Sequence, residues 1–121
     1  MARTKGVFMD FSQMTDLALI VRQQYANIEK KKYGKSWTTE QLALGFMGDM
    51  GELAKLMQAH AGFRQSKNLD AKISHELADC LWSIIVLAKE LNIDLEQAFI
   101  QTMNELHQSN NASLEKLYEV A

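Results

Sequence analysis

The sequence predicts an all-α protein, a four-helix bundle-like domain with a short C-terminal helix. Three observations predict it. The chain contains no proline. Its apolar residues recur at helical spacing almost throughout. No stretch sustains the two-residue alternation of an amphipathic strand. An apolar content of 47% suits a packed core and is too high for a disordered chain. The length fits one domain, and no repeat, low-complexity tract or linker divides it.

The first helix is expected over about Ser12 to Lys32, with Leu17, Ile20, Val21, Gln24 and Ile28 along one stripe. "KYGKSW" ends it, Gly34 providing a left-handed stop. The second starts at "TTEQ", where Thr38 and Gln41 have capping-box spacing, and runs to about His60. Gly62 stops it, and "GFRQSKN" is a loop. The third starts at Asp70, a good N-cap, and ends around "ELNID". Its segment "CLWSIIVLA" (80–88) is apolar on nearly every side, which predicts a helix surrounded by others. Asp94 opens the fourth, with Gln97 as capping partner. "QSNNAS" (108–113) reads as a polar break and "LEKLYEV" as a short terminal helix. The core is therefore expected over about 12–108 of a single domain, 1–121.

Composition excludes several function classes. A formal net charge of −2 gives no general pull toward nucleic acid or anionic lipid. The one basic cluster, Lys30, Lys31, Lys32 and Lys35, suits a solvated helix end favoured by the helix dipole. Cys80 is the only cysteine, which excludes intrachain disulfides and thiolate zinc sites. It lies in an apolar run, as a small hydrophobe does. No apolar stretch reaches the length of a membrane span. "MARTKGVFMDF" lacks the apolar centre of a signal peptide. A reducing cytoplasm is the expected location.

"GDMGEL" (48–53) carries two acids one turn apart, Asp49 and Glu52, between glycines that each cost a helix up to about 1 kcal/mol. Glu76 and Asp79 repeat the spacing at the entrance to the apolar run. Residues three apart are neighbours on a helix surface. Each pair either solvates a face or forms half of a site. The stripe flanked by the first pair comprises Ala43, Phe46, Met47, Met50, Ala54 and Met57. If the second and third helices pack antiparallel across their short loop, the two pairs can face each other. Four converging carboxylates could not all stay ionised without a cation. All-oxygen ligands suit Mg²⁺ or Mn²⁺. Gly45 and Gly48, on the same side, would leave room for the ion and a ligand. No Glu stands three residues before His60, His75 or His107, which removes a di-iron bundle. Zinc hydrolase motifs and phosphate-binding glycine loops are absent.

"GDMGELAKL" followed by "HELADCLWSIIVLAKELNIDLEQAF" resembles the MazG-type all-α nucleoside triphosphate pyrophosphohydrolases, from about Trp37 to Phe99. Those enzymes carry an E-x-x-E pair on one helix and an E-x-x-D pair on the next. The resemblance implies Mg²⁺-dependent cleavage of an NTP or dNTP to the monophosphate and pyrophosphate, with a role in clearing non-canonical nucleotides. By position, Asp49, Glu52, Glu76 and Asp79 become the metal ligands. It also implies a homodimer or homotetramer, with neither nucleic acid nor membrane as partner. Glu52 is the expected base toward the attacking water, and Glu76 the second catalytic carboxylate. Trp37 either stacks on a nucleobase or packs as an ordinary tryptophan. Lys55 and Lys72 are candidate phosphate contacts, alongside Arg64 and the 30–35 cluster. The chain departs from the family at Asp49, where Glu is usual. It departs again at "TMNEL", where members carry a "KMEKN"-like stretch, and at Ser83, often Tyr. A helical assembly protein that kept the fold without catalysis is the alternative these departures motivate.

Overall fold

The computed structural model describes residues 8–119, arranged as four helices: α1 (Phe11–Tyr33), α2 (Thr39–His60), α3 (Leu69–Glu90) and α4 (Leu95–Glu119). The expectations for residues 1–7 and 120–121 lie outside the described residues. No described helix is long and apolar enough to cross a membrane.

Local chemistry sets most of the helix ends. The Asp10 carboxylate accepts the Gln13 N–H at 2.8 Å, and the Gln13 side chain accepts the Asp10 N–H at 2.9 Å. Thr38 and Gln41 make the same reciprocal pair at the start of α2. Such boxes satisfy two backbone donors that a helix start otherwise leaves open. Gly34 (φ 81°) stops α1, and Gly62 (φ 87°) follows the end of α2, both in the left-handed region that glycine enters freely. At the start of α4 the Gln97 N–H donates to Asp94 Oδ1 at 3.1 Å.

Two boundaries differ from the sequence reading. α3 begins one residue before Asp70. Its N-cap is Asn68, itself left-handed (φ 54°) and making no side-chain cap. Asparagine tolerates that conformation, which leaves Asp70 inside the first turn, where a negative charge suits the dipole. The expected break at 108–113 and the separate short terminal helix are absent, because α4 is continuous through residue 119. Serine and asparagine disfavour a helix by well under about 1 kcal/mol each, and no glycine or proline is present to stop it.

α2 and α3 pair along their length, and α1 lies against α3. A connection of only residues 61–68 between two helices packed this extensively makes them antiparallel neighbours, and Asp49 meets Ser83 across the pair. Val86 is only 1% exposed, with Ile85, Ala88 and Leu42 also buried. The rows facing inward overlap only partly with the stripes the sequence suggests, sharing the half-buried Val21, Ala43 and Phe46. α1 buries Ala18, Arg22 and Ala26, while Leu17, Ile20 and Ile28 stay open. On α2, Leu42, Phe46, Asp49, Leu53 and Leu56 turn inward, and Met47 is 63% exposed. α3 is likewise only partly enclosed, since Leu77, Leu81 and Ile84 remain open. Along α4 only Leu95 and Ala98 are even half-buried.

Val86→Ala should cost about 2 kcal/mol, from lost burial and the cavity left behind. Asn110→Ala, on the exposed part of α4, should stay within about 0.5 kcal/mol of wild type. Urea denaturation of both variants checks this, and similar losses would contradict the burial pattern.

Candidate functional site

Asp49 reaches the site because its row on α2 faces α3. The buried Ser83 hydroxyl donates to Asp49 Oδ2 at 3.5 Å. Ser83 lies four residues beyond Asp79 and seven beyond Glu76, on one face of α3. Three carboxylates from two helices therefore gather around Cys80. Its thiol is pushed up from the ordinary value, chiefly by burial and then by Asp49, Glu76 and Asp79. A thiol so surrounded stays protonated at neutral pH and is a poor nucleophile.

Glu76 Oε2 is buried without a hydrogen-bond partner. A buried carboxylate oxygen in that state has a partner still to find, and a cation can supply it. His75, Glu76 and Asp79 each offer one ligand atom, all within 4.8 Å of one another. His75 Nε2 also stands 3.1 Å from Asp79 Oδ2. Two carboxylates and an imidazole fit a divalent cation, while Asp49 joins Asp79 in lining the adjoining cavity.

The fourth acid stands apart. Glu52 is exposed and paired with Lys55 at 3.3 Å. Lys72 donates to Ser66 Oγ at 3.3 Å, where it lines a separate hollow with Arg64 and Lys67 beside the loop before α3. Gly45 makes room for Trp37 rather than for an ion, since a Cβ there would stand 2.9 Å from the indole Cζ3. Gly48 and Gly51 face open space.

A cavity of about 510 Å³ opens between α1, α2 and α3, within the roughly 300–1,000 Å³ of small-molecule sites. Tyr25, Trp37 and Trp82 give it aromatic walls, and Asp49 and Asp79 line it as well. Trp82 is held by its Nε1–H donating to the Ala18 carbonyl at 3.0 Å and by an edge-on contact with Tyr25. Aromatic walls beside a carboxylate group able to hold a cation can take a flat organic ring with an anionic tail. Sequence reasoning missed Arg22, Tyr25 and Glu29, which come from α1. It also passed over His75, whose signal was its spacing, four residues before Asp79.

The family model of the MazG nucleotide pyrophosphohydrolase domain matches residues 37–112. A comparison with curated proteins finds no match. The matched segment contains Trp37, Asp49, Glu52, Glu76 and Asp79, and leaves α1 outside.

Glu76→Gln keeps the side chain's shape and removes its charge. If Glu76 holds a cation, the variant should lose the rise in Tm that Mg²⁺ or Mn²⁺ gives wild type. Thermal melts with and without metal measure this. An unchanged metal-induced rise in the variant would remove Glu76 from the cation site.

Proposed function

The chain belongs to the MazG nucleotide pyrophosphohydrolase family, and on that premise we propose that it hydrolyses an NTP or dNTP between the α and β phosphates. The products are the nucleoside monophosphate and pyrophosphate. One observation carries the reading: the unpartnered Glu76 Oε2 belongs to a carboxylate cluster that adjoins an aromatic-walled cavity.

Asp49, Glu76 and Asp79 would hold Mg²⁺, with Mn²⁺ as a substitute, which when bound neutralises charge on the phosphates and the leaving pyrophosphate. The remaining steps belong to the chain's own side chains. Trp37 and the cavity receive the base, fixing the substrate's end opposite the phosphates. Glu52, open to solvent, takes the proton from the attacking water. Ser83 holds Asp49 in place through its hydroxyl, and His75 does the same for Asp79. Lys55, beside Glu52, supplies positive charge for the polyphosphate, whereas Lys72 lines the separate hollow.

The working unit is a homodimer or homotetramer. Supporting this are the open apolar rows on every helix, including Leu17 and Ile20 on α1, Met47 on α2, Leu81 on α3 and Phe99 on α4. Apolar surface so extensive is characteristic of an interface.

With Mg²⁺, pyrophosphate and a monophosphate should appear from at least one member of a panel of common and oxidised NTPs and dNTPs. Glu76→Ala should lower kcat/KM by at least about 100-fold, and sedimentation should give a dimer or tetramer. A folded protein that is silent across the panel would favour the non-catalytic assembly reading.

A further inference from the structure

α1 lies outside the matched segment, yet it carries a nearly buried ion pair. Arg22 Nη1 stands 3.2 Å from Glu29 Oε2, with side chains 10% and 12% exposed. Such a pair seldom gains stability over apolar side chains of the same size, so its contacts matter more than its charge. Both backbone polar groups of Trp37 end on it. The Trp37 N–H donates to Glu29 Oε1 at 2.7 Å, and Arg22 Nη2 donates to the Trp37 carbonyl at 3.3 Å. The next residue is Thr38, the N-cap of α2. The Trp37 backbone is thus tied to α1 on one side and α2 on the other, and its indole lies over Gly45. Arg22, Glu29, Trp37 and Gly45 line the same cavity as Asp49 and Asp79.

We propose that Arg22 and Glu29 are positioning residues that set base specificity. By fixing Trp37, they hold one wall of the cavity at a set place relative to Asp49 and Asp79. Only a base that fits against that wall then brings its phosphates to the carboxylates. This rests on the reading of the cavity as the base site. The residue types suit the task. The planar guanidinium engages Glu29 while leaving an N–H for the Trp37 carbonyl, and the compact ammonium of lysine cannot reproduce that fork. A carboxylate accepts from the Trp37 amide and from Arg22 at once. An amide in its place would turn an NH₂ toward one of these donors.

Steady-state kinetics of the intact protein on common ribo- and deoxyribonucleoside triphosphates tests this. Arg22→Lys and Glu29→Gln should each shrink the ratio of kcat/KM between the best and worst base by about tenfold, chiefly through KM for the best base. Gly45→Ala, which displaces the indole while leaving the ion pair intact, should give the same loss. Circular dichroism reports whether each variant is folded. Undiminished discrimination in folded Glu29→Gln and Gly45→Ala would overturn the proposal. So would a wild-type enzyme that turns over every base equally, although hydrolysis itself would stand.

A second readout needs no turnover. The indole N–H resonance of Trp37, assigned against Trp37→Phe, should move when these nucleotides bind wild type and respond more weakly in Glu29→Gln. If wild type releases no pyrophosphate, the hydrolase reading falls and this resonance alone decides the positioning role. No response in wild type overturns it.

Discussion

Asp49 from α2 and Glu76 and Asp79 from α3 all bear on the Cys80 thiol at the α2–α3 contact, and placing acids at that contact is the constraint on which the rest depends. Two antiparallel helices would ordinarily close such a contact with apolar side chains. Here the inward row of α2 runs Leu42, Phe46, Asp49, Leu53 and Leu56, with an acid at its middle. Ser83 hydrogen-bonds that acid, while Glu76 Oε2 is buried without a hydrogen-bond partner. A buried polar group without a partner costs stability, and on the function proposed above a cation completes the site.

The same trade governs the core. Few large side chains are buried, and α1 turns alanines and an arginine inward while its larger apolar residues face out. α1 lies against α3. From it Arg22 and Glu29 reach Trp37, beside a cavity in place of a filled core. The outward apolar rows then remain for other surfaces to cover, and α4, open along nearly its whole length, extends them.

How much of this the sequence revealed follows from range. Caps are local, so Thr38 with Gln41, Asp94 with Gln97, Gly34 and Gly62 could be read from neighbours a few residues away. The continuity of α4 was missed because Ser and Asn were weighed as breakers, although helix propensity is only a weak prior. The apolar stripes of α1 and α2 were visible, but periodicity does not say which partner a stripe meets, and Leu17 and Met47 face away from this chain's core. At the site, the spacing of Glu76 and Asp79 is legible in the sequence, and the two lie together with His75 on α3. Nothing local linked Arg22 or Glu29 to Trp37, because those contacts depend on how α1 packs. Gly45 was read as space for an ion when the indole of Trp37 takes that space.

The central claim is that carboxylates from both helices serve one cation, and Asp49 tests it most directly because it is the acid contributed by α2. A Mn²⁺ titration followed by electron paramagnetic resonance, on wild type and Asp49→Asn, measures it. Asp49→Asn should raise the Kd for Mn²⁺ by at least about tenfold, with the helical fold unchanged by circular dichroism. Binding in Asp49→Asn as tight as in wild type would contradict a shared site and confine any cation to α3.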